Sequence, residues 1–444
     1  MNGPPPPTPP PSEGEGKGEG EFTILSHFHF SIRTHGNNEM TSKEGKDGLL
    51  QGIRILDLAD EKASFCSKLL ADMGADVIKV EKPGGDSSRK IGPFLGNSPH
   101  PEKSLFFYYH NSNKLGITLD IEKDEGKKIF FKLLKKTDVV VETFHPGYLK
   151  KLDLGFDVLS KVNSGLILTS VTGFGQNGPR CQYGSCDLVA SAFGGQMYVS
   201  GSPLTPPLKP FGEQSFYVTS LFAAIGILLA LRKRMHSGKG EHIDISSQEA
   251  VASTLDHVMV RYFYDQIIPK REGNLSWNHS SFILPCKDGH FYLTISTQWE
   301  TLVEWMASEG MAEDLIGEEW KEEEYRLRNL DHVIRILQKW TKTHSAKELF
   351  ELGQQMRFPW APVYSPNEVL TGPQLKVREF FFDVDHPDLG MTLGYPGFPF
   401  KLNPSVLKRW KRAPLIGEDN IQIYGKELGL SLEEIERLSS MKVI

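Results

Sequence analysis

The chain is poor in cysteine: its 444 residues include only four, Cys66, Cys181, Cys186 and Cys286. None of them has the spacing of a metal-binding or disulfide framework. We therefore expect buried or free thiols in a reducing compartment. The sequence predicts neither a metal site nor a redox cofactor.

The chain also lacks an excess of positive charge and a long apolar run. Its formal net charge is −6, which gives no electrostatic reason to expect nucleic acid or an anionic membrane as a partner. The most apolar segment, residues 221–231, spans about eleven residues. A bilayer needs roughly 20. This segment is predicted to be a core helix, and no membrane span is predicted.

The first 46 residues offer little to bury. They begin with a run rich in Pro, Gly and Glu, which predicts a disordered N-terminal extension over residues 1–46. The extension has neither the basic start nor the apolar centre of a secretory signal, so we expect a cytoplasmic protein. His27, His29 and His35 lack cysteine or acid partners and are interpreted as incidental rather than as a metal cluster.

A strand–helix–strand unit follows this extension. Residues 53–58 are an apolar run of strand length, residues 61–73 repeat apolar side chains at helical spacing, and residues 77–80 form a second apolar run. Asp60 is placed to cap the helix and Gly74 to end it. This order predicts a βαβ unit in a parallel sheet.

The turn after the first strand has no glycine. It reads Ala59-Asp60-Glu61-Lys62, so a pyrophosphate could not approach the backbone closely, and two acids would repel it. Glu81 does close the second strand, where a dinucleotide-binding enzyme keeps its ribose-binding acid. The chemistry of the turn nevertheless excludes a nicotinamide or flavin site.

The alternation of strand and helix continues beyond this unit and predicts an α/β fold. Further strands are predicted at residues 116–119, 139–142, 166–171, 281–284 and 291–295. Further helices are predicted at residues 124–136, 218–233, 300–308, 330–343, 346–355 and 432–438.

Composition shifts near residue 274, which predicts two domains. The first is a large Rossmann-like domain with an open parallel sheet over residues 47–250, and the second is a smaller α+β domain over residues 274–365. All seven tryptophans lie at or beyond Trp277, and we expect them to pack between domains or subunits.

Several segments, taken in order, resemble one family. They are GIRILDL, LLADMGADVIKVEKPGGD, NSNK, the run at residues 119–147, GFGQNGP, SGKGEHIDIS and APLIGEDN. Over nearly everything after about Leu49 the chain is similar to the class III (CaiB/BaiF-type) CoA-transferases. These include formyl-CoA transferase and carnitine CoA-transferase, with alpha-methylacyl-CoA racemase as a relative.

The resemblance implies an activity and an assembly. The expected reaction moves CoA between carboxylic acids, through mixed-anhydride and thioester intermediates on an enzyme carboxylate. CoA would be a co-substrate, and the partners an acyl-CoA and a carboxylic acid acceptor. The family also implies a homodimer of two interlocked rings, with residues 375–444 returning to complete the large domain.

The family's nucleophile is an aspartate just after a glycine, and here Gly212 is followed by Glu213. Glu213 is therefore the candidate nucleophile, assisted by Gln214 and by Asp187, which matches an acidic active-site position. An exposed loop glutamate is the competing interpretation of Glu213, and a helix cap that of Asp187. Counting back from the predicted helix places Phe216 at the nucleophile position instead.

The CoA site is carried over from the family position by position. Lys62 and Ala63 occupy the place of the family's first turn, which is one residue longer and contains Gly-Pro. The other matching residues are Lys82, Leu119, Asp120, Thr143, Phe144, His145 and Lys151. Taken singly, each would be a solvated lysine or a packing residue.

Three alternatives remain open at the level of sequence. One is a non-catalytic, CoA-binding partner subunit of a heteromeric transferase, suggested by the missing Gly-Asp pair. Another is an alpha-methylacyl-CoA racemase, disfavoured because Cys186 replaces the histidine base of that branch. The third is a scaffold without a CoA site. For the acyl group, Phe216, Tyr217 and Trp277 suggest an apolar or aromatic structure.

Overall fold

A computed structural model describes residues 48–295, 298–401 and 410–444. The predicted extension at residues 1–46, with its three histidines, lies outside the described residues. The described residues cluster as one compact unit.

Eleven strands are described. They are β1 (Arg54–Leu58), β2 (Asp76–Glu81), β3 (Leu115–Thr118), β4 (Val139–Glu142), β5 (Ile167–Thr172), β6 (His242–Ser246), β7 (Ser281–Cys286), β8 (Gly289–Thr294), β9 (Ala361–Pro362), β10 (Phe381–His386) and β11 (Met391–Pro396).

Seventeen α-helices are described alongside them. They are α1 (Ser64–Asp72), α2 (Leu105–His110), α3 (Asp124–Leu134), α4 (Tyr148–Lys151), α5 (Phe156–Val162), α6 (Asp187–Phe193), α7 (Gln196–Val199), α8 (Gln214–Ser237), α9 (Ser247–Ala252), α10 (His257–Asp265), α11 (Trp299–Ser308), α12 (Glu323–Arg328), α13 (Leu330–Thr341), α14 (Ala346–Gln355), α15 (Pro366–Thr371), α16 (Pro373–Val377) and α17 (Leu432–Ser440).

The main sheet has six strands in the order β3-β2-β1-β4-β5-β6, and every neighbouring pair is parallel. After β1 the chain adds β2 and β3 on one side of β1, and it then adds β4, β5 and β6 on the other side. The junction between β1 and β4 is therefore the switch point of the sheet. This arrangement confirms the α/β class and the parallel sheet.

Alternate side chains of the strands enter two cores on opposite faces of the sheet. Leu56, Ile78 and Val140 pack with α3 and with the end of the chain, while Ile55 and Val77 pack with α1 and α8. Because both faces are covered, the central strands consist of apolar runs, which is why the sequence predicts them well.

The C-terminal segment covers the edge strand β3. Asp419 accepts a hydrogen bond from the Gly116 amide at 2.7 Å, Asn420 accepts one from the Thr118 amide at 3.0 Å, and the Tyr424 hydroxyl donates to the Thr118 carbonyl at 2.6 Å. These bonds satisfy an edge that would otherwise pair with another chain.

Two small antiparallel sheets complete the fold: β7-β8-β9 and the hairpin β10-β11. The helices α11, α13 and α14 pack against the first of them. Four tryptophans expected between domains or subunits, Trp299, Trp320, Trp340 and Trp360, instead lie inside this small core. The rings fill a volume that a three-stranded sheet with short helices leaves open.

The helix predicted at residues 218–233 is longer than expected. It is α8, with 24 residues, and it passes the length and composition test for a membrane span; half of its most apolar window is buried inside the protein. One such helix is weak evidence for a membrane, because core helices pass the same test. The expectation that this segment is too short to span was wrong.

Candidate functional site

A cavity of about 210 Å³ opens at the switch point of the sheet. Its walls come from the carboxyl ends of neighbouring parallel strands and from the turns that follow them, where α/β proteins bind ligands. The lining residues are Leu58, Asp60, Val80, Lys82, Gly85, Asp86, Ser87, Leu119, Ile121, Thr143 and Phe144.

Four of the predicted CoA-binding residues, Lys82, Leu119, Thr143 and Phe144, line this cavity together. Lys82 is exposed and pairs with Glu122 at 2.8 Å. Exposed ion pairs contribute only about 0–1 kcal/mol, so a phosphate could displace Glu122 from Lys82 at small cost.

The other predicted CoA-binding residues are not among the lining residues. Lys62 is paired with Asp60, Ala63 is fully buried, and the Asp120 amide donates to the Val443 carbonyl at 2.7 Å. His145 and Lys151 are exposed.

The predicted cap at Asp60 is wrong. Helix α1 begins at Ser64, and Asp60 instead accepts the Lys62 amide at 3.1 Å while its own amide donates to the Thr143 hydroxyl at 2.9 Å. Asp60 thus joins the ends of β1 and β4 rather than starting the helix.

Buried charges hold the turn between β1 and α1 in place. The Lys114 ammonium donates to Asp57 at 2.8 Å, to Ser67 at 2.9 Å and to the Ser64 carbonyl at 3.0 Å, while Asp57 accepts the Ala59 amide at 3.0 Å. Lys114 and Asp57 side chains are both inaccessible to solvent. A paired, fully hydrogen-bonded charge of this kind fixes backbone position, because breaking it leaves an uncompensated ion.

The opposite wall of the cavity depends on residues that sequence reasoning left out of the site. Lys79, which is fully buried, donates to the Ala59 carbonyl and, at 3.2 Å, to Asp86. Asp86 in turn accepts the Ser88 amide at 2.8 Å. The KPGGD run that contains Asp86 contributed to the resemblance, and that was the available signal.

Glu213 lies directly before the first residue of α8 and is half-buried. Its Oε2 is inaccessible to solvent and has no hydrogen-bond partner among the described residues. Helix α8 begins at Gln214 and not near residue 218, so the count back from the predicted helix, which placed Phe216 at the nucleophile position, started too late in the chain.

Asp187 is buried at the first residue of α6, and its carboxylate accepts the Ser215 amide of α8 at 2.9 Å. It therefore caps the neighbouring helix α8 and lies beside Glu213. The exposed Gln214 side chain donates to the Phe211 carbonyl at 3.2 Å, and Phe216, the other position considered for the nucleophile, is buried. Cys186, just before Asp187, is exposed.

Electrostatics connect Glu213 with the cavity. Burial raises the pKa of Glu213, the nearby Asp187 and Glu61 carboxylates raise it further, and Lys209 opposes them. The Glu61 carboxylate in turn interacts with Asp60 and Asp86, and burial raises its pKa as well. Glu61 therefore interacts electrostatically with both the candidate nucleophile and two acids of the cavity wall.

Aromatic rings pack beside Glu213. Tyr217 contacts Phe65 with ring centroids 4.7 Å apart and His110 at 5.6 Å, and Phe65 contacts Tyr109 at 6.2 Å. Trp277, also suggested for the acyl group, instead packs against His257, with ring centroids 4.6 Å apart, and lines a different cavity of about 260 Å³.

Within residues 48–295, 298–401 and 410–444, no three His, Cys, Asp or Glu side chains are grouped so that they could hold a metal ion.

Comparisons with known proteins place the chain among CoA-transferases. The model of CoA-transferase family III matches residues 50–420. The succinyl-CoA:(R)-benzylsuccinate CoA-transferase subunit BbsE of Thauera aromatica is 32% identical, over 88% of this chain and 97% of that protein. The succinyl-CoA–L-malate CoA-transferase beta subunit of Chloroflexus aurantiacus is 32% identical, over 89% and 98%. A crystal structure of a CAIB/BAIF family protein from Brucella suis matches with a TM-score of 0.78 and 28% identity, over 86% of this chain and 99% of that one.

Proposed function

The chain belongs to CoA-transferase family III and is an enzyme that uses CoA as co-substrate, and from this premise we propose that it transfers CoA between carboxylic acids with Glu213 as the nucleophile. The observation that carries the proposal is the position of Glu213, directly before α8, with one carboxylate oxygen buried and without a partner among the described residues. A carboxylate held without hydrogen bonds is free to form a covalent bond.

The proposed reaction begins when a Glu213 oxygen attacks the thioester carbonyl carbon of the acyl-CoA. The carbon–sulfur bond breaks, CoA leaves as a thiolate, and the acyl group remains on Glu213 as a mixed anhydride. The thiolate then attacks the glutamyl carbonyl, which releases the donor acid and leaves CoA on the enzyme as a thioester.

The acceptor acid completes the exchange. Its carboxylate attacks the glutamyl thioester and forms a second anhydride, and the CoA thiolate then attacks the acceptor's carbonyl carbon. New acyl-CoA leaves and the Glu213 carboxylate is regenerated, with no net redox change and no water consumed. Because water would hydrolyse the anhydride, the partial burial of Glu213 favours transfer over hydrolysis.

We propose that the 210 Å³ cavity at the switch point binds part of CoA. Lys82 is the basic residue that lines it, and a phosphate can compete with Glu122 for the Lys82 ammonium. Asp60 and Asp86 also line the cavity and disfavour phosphate next to them, so the phosphates are expected on the Lys82 side.

For the acyl group we propose an apolar or aromatic carboxylic acid. Tyr217, Phe65 and His110 form an aromatic surface beside Glu213, and burial lowers the pKa of His110 to about 3, so its ring stays neutral. The name of the Thauera relative suggests the first pair to test, succinyl-CoA as donor and benzylsuccinate as acceptor.

The test traps the acyl-enzyme. Pure protein is incubated with succinyl-CoA and other acyl-CoAs, hydroxylamine is added, and the modified peptide is mapped by mass spectrometry. We expect a hydroxamate on Glu213, its loss in Glu213→Gln, and an unchanged yield in Glu304→Gln, an exposed glutamate of α11. A hydroxamate on Asp187 would move the site and contradict the assignment to Glu213.

The second candidate is a CoA-binding subunit that depends on a homologous catalytic subunit. Two observations favour it: a glutamate follows Gly212 where the family has aspartate, and two of the relatives are named as subunits. A thermal shift with CoA but no adduct from any acyl-CoA would support this candidate against the first.

A further inference from the structure

Lys209 connects two parts of the candidate site through one ammonium group. Its Nζ lies 3.1 Å from Asp187 Oδ2 and donates a hydrogen bond to the Gly212 carbonyl. Gly212 has a φ of +71°, a backbone conformation that favours glycine, and it directly precedes Glu213. The lysine thus attaches the turn that carries Glu213 to the first turn of α6.

Most of the titratable groups around Glu213 are acids, whereas Lys209 is a cation. Glu61 faces Glu213 from the turn after β1, Asp187 from α6 and Tyr217 from α8, and each of these is an acid. Among the described residues, Lys209 is the cation that acts on Glu213. Two neighbouring carboxylates disfavour the ionisation of a third carboxyl group, and a nearby cation favours that ionisation.

We propose that Lys209 is a positioning residue for the Glu213 nucleophile, holding the Gly212–Glu213 turn against Asp187 and offsetting the negative charge of Asp187. This inference rests on the proposed function, because it assumes that Glu213 must be ionised to attack. The Asp187 carboxylate also accepts the Ser215 amide at 2.9 Å, and this hydrogen bond does not involve Lys209. Loss of the lysine therefore leaves a fixed negative charge beside Glu213.

The test compares Lys209→Gln, Lys209→Arg and the control Lys161→Gln, which alters an exposed lysine of α5. Two quantities are measured against pH: the single-turnover rate of hydroxamate formation at Glu213, and the rate at which a water-soluble carbodiimide labels Glu213. The second reports the protonated carboxyl group and needs neither CoA nor catalysis.

In Lys209→Gln we expect both pH profiles to move upward by about half a unit to one unit, because Lys209 is partly exposed and its effect is screened. Below the midpoint the trapping rate falls about three- to tenfold. Lys209→Arg restores the profile of the unsubstituted protein, and Lys161→Gln leaves it unchanged.

Unshifted labelling in Lys209→Gln would overturn the inference while leaving the proposed function intact, provided that the unsubstituted protein forms the hydroxamate. Conversely, a labelling shift in a protein that never forms the hydroxamate would show only that Lys209 favours the ionised form of Glu213, and it would contradict the role of Glu213 as nucleophile on which the inference rests. Equal loss of trapping in both Lys209 variants, with unshifted labelling, would also overturn it.

Discussion

Glu142, at the end of β4, is a carboxylic acid in a place that water hardly reaches. It is 4% exposed, and it accepts the Phe144 amide at 2.6 Å at the wall of the proposed CoA cavity. Burial raises the pKa of Glu142 to about 7, against hydrogen bonds from Ser170 and Phe144 that lower it. At neutral pH about half of the folded molecules thus hold a proton that the unfolded chain releases.

This difference predicts a pH-dependent stability. Between the unfolded value of 4.5 and about 7, the folded state binds more protons, so the free energy of unfolding falls as pH rises, by on the order of 3 kcal/mol in total. Glu142→Gln removes the titration, so we expect it to be more stable than the unsubstituted protein at pH 8 and about equally stable at pH 4.5. Chemical unfolding at both pH values measures this.

Glu304→Gln is the control: Glu304 is exposed and this variant keeps Glu142, so its stability should change with pH as that of the unsubstituted protein does. If Glu142→Gln differed from the unsubstituted protein by the same amount at both pH values, the buried, protonated carboxyl would be contradicted.

Single residues also mark the limit of sequence reasoning at this site. Glu213 could be proposed as the nucleophile from the sequence, because the Gly212-Glu213 pair stands near the position of the family's Gly-Asp pair. Lys209 could not, since its partners lie 22 residues away at Asp187 and across a turn at Gly212. The cap at Asp60 failed for a similar reason: its amide bonds Thr143, which the fold brings near from another strand.

Among the elements, α8 matters most for the site, because its first turn positions Glu213 and its length crosses the core. The sequence predicts the start of α8 at residue 218 rather than at Gln214, because the group that caps the helix, Asp187, belongs to another helix. β6 was not predicted as a strand, since this edge strand is partly exposed along most of its length, whereas the buried strands β1 to β5 show clear apolar runs.

Two isoleucines on α8 allow a matched test of its packing. Ile227 is fully buried between the sheet and α1, while Ile225 is 51% exposed in the single chain. We expect Ile227→Ala to lower the free energy of unfolding by about 2–4 kcal/mol, and Ile225→Ala by less than about 1 kcal/mol. Denaturant titration of both variants measures the difference. Equal effects would contradict the position of α8 in the core.

At the scale of the whole molecule, the described chain leaves large apolar side chains on its surface. On α10 these include Val260, Phe263 and Tyr264, and Ile268 follows just after it. Exposed apolar groups so close together mark interaction surfaces in soluble proteins. We propose that a second copy of this chain covers them.

Phe263→Glu tests this assembly, with Ile316→Glu as the control, since both side chains are 66% exposed and only Phe263 belongs to the α10 surface. Light scattering after size exclusion should give twice the mass of one chain for the unsubstituted protein and for Ile316→Glu. Phe263→Glu should shift toward one chain, because a buried, unpaired carboxylate opposes association. The homodimer is contradicted if the unsubstituted protein elutes as a single chain and forms a larger complex only when it is co-expressed with a homologous CoA-transferase subunit. That result would support the partner-subunit candidate, which the names of two relatives already suggest because both are subunits.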